Sequence, residues 1–249
     1  MEEGGCIFFR DARRRNGLQQ LLGLVGFDFS LDERLIVAQL VNILGAKVDF
    51  MPNYKTEVSL MKDFGVQPFL FPMPVYMIGT YNEDDTVDAM AMAWGGICAE
   101  NMVALNLEED HKTVANLRAR GAFTLSVPGR DTLAESDFMG IASANKFADK
   151  FERTGLHAVK SSRVDAPIIT EYPLTLECRV LEMQRQPYGL RVLGEIVNVL
   201  ADEKVLDEQG KIDCGKLNTF LFDQMRHDYY AVGEVCGKAW FSGAPFVKK

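Results

Sequence analysis

Residues 122–128 read AFTLSVP and residues 173–180 read PLTLECRV, and both alternate with a period of two. Phe123, Leu125 and Val127 fall on one side of the first segment. Leu174, Leu176, Cys178 and Val180 fall on one side of the second, with Thr175, Glu177 and Arg179 opposite. A period of two is the side-chain repeat of a pleated strand and cannot keep one face on a 3.6-residue helix. That commits the centre of the chain to β-structure. Short segments of the same kind recur. Residues 75–81 are almost continuously apolar, as a strand buried on both faces is. Residues 88–94 and 102–107 read as two further strands. The run LRVLGEIVNVLAD is a long strand whose phase can shift at Gly194, a natural bulge position. NEDD (82–85) and DEQGK (207–211) carry the residue types of tight turns.

Helical signals are few. DHKTVANLRARG (110–121) is one short helix, with Asp110 as the candidate N-cap, Val114 and Leu117 on one face and Gly121 at the C-cap. Residues 132–155 carry helical signals interrupted by a polar loop at 142–146. Six or more strands, one short helix and one helical insert predict a mainly β closed barrel rather than an open α/β sheet. There is no strand–helix alternation, no Gly-x-Gly-x-x-Gly and no Walker motif, which excludes a Rossmann domain.

Composition narrows the function. The net charge of −8 argues against a nucleic-acid partner, which calls for a basic surface to displace counterions. The five cysteines are odd in number and widely spaced, with no Cys-x-x-Cys, so neither a metal site nor a disulfide framework is expected. Reduced thiols point to the cytoplasm. No run approaches the roughly 18 apolar residues of a membrane span.

Residues 1–50 differ from the rest. Arg13, Arg14 and Arg15 precede GLQQLLGLVGF, but two glutamines interrupt the apolar stretch and no clean cleavage site follows, unlike a signal peptide. DERLIVAQLVNILG (32–45) reads as an amphipathic helix. We expect an extension over 1–50, loosely packed or preceding a natural start at Met51, and one domain over 51–249.

Reactive side chains are scarce. His111, His157 and His227 are scattered in charged surroundings and read as surface residues. GIAS (140–143) is not a nucleophile elbow. Cys98 follows a Trp-Gly-Gly turn, but Glu100 beside it would raise a thiol pKa. Met73, Met77, Met90, Met92 and Met102 read as core filler, and Trp94 as a packed core aromatic. No catalytic side chain is assigned. An enzyme with such a sequence takes its reactive atoms from a cofactor and supplies shape, backbone hydrogen bonds and phosphate anchoring. Gly95 and Gly96 permit close approach of a flat heterocycle. Lys112 and Thr113 open the 110–121 helix, where the dipole favours an anion, and Ser143, Asn145 and Lys146 offer further donors. Flavin mononucleotide (FMN) meets these requirements.

Several blocks, in order, cover the chain from about Lys55 onward: FPMPVYMIGTY, AMAMAWGGICAEN, GAFTLSVP, DFMGIASANKFADKF, VDAPIITEYPLTLECRV, GEIVNVLADE and YYAVGEVCGKAW. On these the sequence resembles the flavoredoxin branch of the flavin reductase-like, FMN-binding split-barrel proteins. The resemblance implies a Greek-key split β-barrel, a homodimer with FMN near the subunit interface, and electron transfer from NAD(P)H or a protein donor through the flavin to an acceptor. By matching position, Pro74, Val75 and the stretch Met92, Ala93, Trp94, Gly95 and Gly96 would approach the isoalloxazine. Lys112 and Thr113, with Ser143, Asn145 and Lys146, would lie by the phosphate. The sequence departs from the family pattern twice. Glu108 and Glu109 stand where relatives often carry a basic residue, and the loop after Ser143 is one residue longer.

Three functions stay open at this level. The leading one is an FMN-dependent oxidoreductase, whether flavin reductase or flavoredoxin-type carrier. The second is a non-catalytic flavin-binding or storage module. The third is a split barrel adapted to another ligand.

Overall fold

In the computed structural model of the chain, residues 62–247 are described. The chain divides into two compact units, 1–65 and 66–249, and the architecture below is that of the second. The helix expected at 32–45 and the boundary expected at residue 51 lie outside the described residues.

Among the described residues there are twelve strands: β1 (Met73–Pro74), β2 (Tyr76–Tyr81), β3 (Val87–Met92), β4 (Gly95–Ala99), β5 (Met102–Leu107), β6 (Ala122–Val127), β7 (Ala158–Lys160), β8 (Pro167–Ile169), β9 (Leu174–Gln186), β10 (Gly189–Ala201), β11 (Phe220–Asp223) and β12 (Asp228–Ala231). Three α-helices accompany them among the described residues: α1 (Lys112–Arg120), α2 (Leu133–Ile141) and α3 (Lys150–Thr154). The principal sheet has seven strands in the order β3-β2-β6-β9-β10-β5-β4, with every pairing antiparallel. Smaller sheets are β1-β11-β12 and β7-β8.

The order of the large sheet forces it to roll. β3 and β4 are its two opposite edges, yet only residues 93 and 94 separate them in sequence. Seven flat strands at their usual spacing would hold the edges about 29 Å apart. Three Cα steps reach no more than roughly 11 Å. The sheet therefore curls into a barrel that is not hydrogen-bonded between β3 and β4, which is a split barrel. Asn106 on β5 fastens the crossover, because its backbone N–H and its side-chain amide both donate to the Trp94 carbonyl at 2.9 and 3.0 Å.

One core fills the barrel: Ile78, Val103, Leu105, Phe123, Leu125, Cys178, Val192 and their neighbours, with Val114 and Leu117 of α1 inserted among them. A second core lies on the other face of β2 and β3. There Met77 and Ala89 pack against Met139 of α2 and Phe151 of α3. β2 is thus covered on both faces, which is why 75–81 lacks an alternating pattern. Gly121 closes α1 in the left-handed conformation, its N–H bonded to the Leu117 carbonyl at 2.9 Å.

Several expectations need correction. Asp110 is not the N-cap of α1. His111 holds that position with extended backbone and no capping side-chain bond, so Asp110 stands one residue too early. The strand expected through Trp94 ends at Met92. Gly95 and Gly96 begin β4 instead of forming a turn, because the crossover must deliver the chain to the far edge of the sheet. Trp94 is 51% exposed rather than core. β7 and β8 fall in a stretch read without strands. The polar face of β9, for which the sequence gave no burial, is partly enclosed. Thr175 and Glu177 are buried, Thr175 against the Ser126 hydroxyl at 2.9 Å. Glu177 accepts from the Ser161 hydroxyl and, at 2.6 Å, from the Asn198 amide.

The register of β9 and β10 shifts between Leu193 and Gly194, where the sequence placed a bulge. A Cβ on Gly194 would lie 2.5 Å from Cζ of Phe123, a fully buried ring. Gly194→Ala is therefore expected to cost about 1–3 kcal/mol through overpacking. Chemical denaturation measures it, and Phe123→Leu in the same chain should return part of the loss.

Candidate functional site

A cleft of about 410 Å³ opens between the start of α1, the end of α2 and the loop that follows it. Its floor is β3, through Asp88, Met90 and Ala91. Lys112, Thr113, Ser143, Asn145 and Lys146 all line it, so the five residues singled out as anion donors come together from two segments some thirty residues apart. The Asn145 amide bridges those segments by donating to the Asp110 carbonyl at 2.8 Å. Ser143, Asn145 and Lys146 are exposed and Lys112 is half-buried. Thr113 is buried and differs from the others: its hydroxyl donates to Asp88 Oδ2 at 3.2 Å, so its side chain is already engaged. In the first turn of α1 the Val114 N–H is taken by the His111 carbonyl at 3.0 Å, while those of Lys112 and Thr113 precede any intrahelical acceptor and carry the positive end of the helix dipole.

Beneath these donors lies an ion pair that sequence reasoning missed. Lys150 Nζ stands 3.2 Å from Asp88 Oδ1, and both side chains are almost wholly buried. The same ammonium donates to the Ala142 carbonyl at 3.1 Å and reaches the Met139 carbonyl at 3.5 Å, at the C-terminal end of α2. It thereby places a cation where the helix dipole is negative. Through Asp88 and Thr113 the network continues to the first turn of α1. One pair thus sets the end of α2 and the start of α1 against β3. Two signals pointed to it: an Asp inside the apolar strand TVDAMAM, and a Lys directly before an apolar Phe at 150–151.

The remaining charges at the cleft nearly cancel. Glu108 and Asp110 line it with Lys112 and Lys146. Glu108, Asp110 and His111 bring one ligand atom each within 4.8 Å of one another. Glu109 faces elsewhere, bonded to Arg185 at 2.5 and 3.0 Å, and those bonds hold its carboxyl below the usual range. Two buried side-chain atoms lack a hydrogen bond among the described residues, Asp88 Oδ1 and His111 Nδ1. Asp88 Oδ1 is in ionic contact with Lys150 but off the hydrogen-bond direction. Both residues line this cleft.

Pro74, Val75, Met92, Ala93, Trp94, Gly95 and Gly96 do not line the cleft. They lie further along the barrel, at the β1–β2 junction and at the crossover following β3. Val75 and Met92 are buried, while the Trp94 carbonyl is taken by Asn106. The two glycines differ in role. A Cβ on Gly95 would meet the Ala104 carbonyl oxygen at 2.5 Å, so the fold itself requires glycine there. A Cβ on Gly96 meets nothing within 4 Å and faces open space. Among the cysteines, Cys98 is exposed. Cys178 is buried, and that burial, with Glu177 adjacent, pushes its thiol up to about 12, which leaves it unreactive at neutral pH.

The model of the flavin reductase like domain matches residues 69–226, a span that contains the large sheet and the cleft. The chain belongs to the flavin reductase-like family. Among solved structures it is similar to the flavoredoxin of Desulfovibrio vulgaris (Miyazaki F), with 34% identity and a TM-score of 0.70 over 74% of this chain and 100% of that one. The flavoredoxin from Methanosarcina acetivorans gives 26% identity and a TM-score of 0.67 over 75% and 100%. A protein with a split barrel domain from Shewanella frigidimarina NCIMB 400 gives 20% and 0.61 over 68% and 86%, and this likeness is one of fold. The split barrel deduced from strand order is therefore the architecture of this flavin reductase-like chain. Among its described residues no helix is long and apolar enough to cross a membrane.

Breaking the Asp88–Lys150 pair from one side should be worse than removing both charges. Lys150→Met leaves an uncompensated buried carboxylate and is expected to cost about 3–5 kcal/mol. Adding Asp88→Asn should recover more than half of that, as read by urea denaturation of the two variants and the parent.

Proposed function

We propose that this flavin reductase-like chain is an FMN-dependent oxidoreductase. In this reading NAD(P)H or a reduced redox protein supplies electrons, and free flavin or another acceptor receives them. The observation that carries the FMN assignment is the cleft at the start of α1. Lys112, Ser143 and Lys146 converge there with Thr113 and Asn145, whose side chains hold the cleft's walls together through Asp88 and Asp110, and the Asp88 Oδ1 and His111 Nδ1 atoms, which lack a hydrogen bond among the described residues, line it. The set fits a phosphate monoester. Lys112 and Lys146 offer charged donors, Ser143 offers a hydroxyl, and the first turn of α1 offers N–H groups. Asp88 and His111 provide polar atoms for a hydroxylated chain leading away from that phosphate.

Bound FMN supplies the electron-transfer chemistry, as a flavin can exchange a hydride or single electrons. The chain's own residues bind and orient. The segment Met92 to Gly96, with Pro74 and Val75, would form the wall against the ring system, and open space at Gly96 leaves room for close approach. Lys150 and Asp88 hold the anchoring elements in register from below. β4 is an edge strand with Ile97 65% exposed, next to the exposed Trp94. Exposed apolar edges of this kind are commonly covered by symmetric association. We accordingly place this edge at a homodimer contact beside the ring-binding wall.

Reconstitution tests the reading. Purified protein is expected to retain about one FMN per chain, and its absorbance should bleach with NADH, NADPH or a reduced ferredoxin. Lys112→Ala and Lys146→Ala should each weaken FMN about tenfold, the low end for a charge-assisted bond, while riboflavin binding stays unchanged. Equal weakening of both flavins would assign the lysines to the fold instead of the phosphate. Absence of flavin binding, or a flavin-loaded monomer in light scattering, would overturn the cofactor or the dimer respectively. Flavin retention without bleaching by any donor would favour a storage module.

A further inference from the structure

A second cleft, of about 630 Å³, adjoins the first and shares Lys112, Ala144 and Asn145 with it. Its character is different. Glu83, Asp84, Asp149 and Glu152 line it, and Lys112 is its single cationic residue.

The two clefts and the crossover are ordered along one extended strand. Thr86, just before β3, lines the acidic cleft; Asp88, Met90 and Ala91 line the first cleft; Met92 ends the strand at the crossover. An extended strand advances about 3.3 Å per residue, so sequence order here is spatial order. A flavin with its rings at the crossover and its phosphate at Lys112 ends where the two clefts meet. The acidic cleft adjoins that end, on the side of the phosphate away from the rings.

The charges in that cleft are largely uncompensated. Asp149 is paired with Arg153 at 2.9 Å. Asp84 accepts from the Thr86 hydroxyl at 2.6 Å and from its N–H at 3.2 Å, so it is held as the anion. Glu83 and Glu152 have no side-chain cation partner among the described residues. The neighbouring turn adds none, because Arg120 is already committed to Asp85, Asp165 and the carbonyls of Asn82 and Glu83.

We propose that this acidic cleft is a charge filter that gives the site selectivity for a flavin ending in a phosphate monoester over one extended by a second phosphate. The proposal rests on the FMN reading above and assigns its specificity to Glu83 and Glu152, with Asp84 and Asp149 as background. The terminal phosphate of FMN is met by the shared Lys112. The second phosphate of FAD would be pushed among like charges, and this repulsion is set by position, with no need for a steric block.

Riboflavin, FMN and FAD titrations followed by flavin fluorescence test it on the parent, on Glu83→Gln/Glu152→Gln and on Glu83→Lys/Glu152→Lys. Both glutamates are exposed, so the melting temperature should hold. The parent should bind FMN more tightly than FAD. Neutralisation should raise the FAD-to-FMN affinity ratio about threefold to fivefold, and reversal about tenfold or more, with riboflavin unchanged. Raising the salt in the parent should move the ratio the same way, because the repulsion acts through solvent. A parent that binds FMN, with a ratio that neither variant shifts, overturns the filter and leaves the FMN reading intact. A parent that binds FMN and FAD equally does the same. A parent that binds no flavin overturns the FMN reading itself, and the filter with it.

Discussion

The barrel depends on the two residues, Ala93 and Trp94, that carry the chain from one edge of the seven-stranded sheet to the other. A link that short cannot cross a flat sheet, so the sheet must close on itself. Closure creates the interior that Val114 and Leu117 of α1 enter, and it puts the first turn of α1 beside β3. Asn106 keeps the link in place from β5, and Gly95 lets the next strand come close to Ala104. The cleft is a by-product of the same closure, since its floor is the strand that ends at the crossover.

Two packed layers then decide where the polar groups stand. The barrel core fixes α1, and the outer core fixes α2 and α3 against β2 and β3. The Asp88–Lys150 pair sits between those layers. Burying it costs desolvation, which the Thr113 hydroxyl and the carbonyls at the end of α2 offset in part. Its consequence is geometric. Two helix ends from separate parts of the chain are held at one place, one of them offering N–H donors.

Much of the fold was legible because strand periodicity is local. The alternation at 122–128, the continuous run at 75–81, the bulge at Gly194 and the left-handed cap at Gly121 each follow from side-chain and backbone chemistry within a few residues. The failures share one cause. The alternation put Thr175 and Glu177 on the polar face of their strand but gave no sign of their burial, because Ser126, Ser161 and Asn198 arrive from distant segments to satisfy them. Trp94 read as core because it is large and apolar, but a residue in a crossover between sheet edges lies at the surface. Asp110 failed as an N-cap by one residue, within the ordinary uncertainty of helix ends.

By itself the sequence determined a β-rich chain, one helix with an apolar face, a scarcity of reactive side chains, and a small set of donors suited to an anion. Those properties are local or additive, so residue order suffices to state them. Only the tertiary structure decided that strands adjacent in sequence would lie at opposite sheet edges. It alone brought Lys112 and Lys146 to one cleft, made Thr113 a partner of Asp88 instead of an open donor, and set a carboxylate-lined cleft directly beyond the lysines. Each of these is a distance between residues far apart in the chain, and such distances exist only once the sheet has closed.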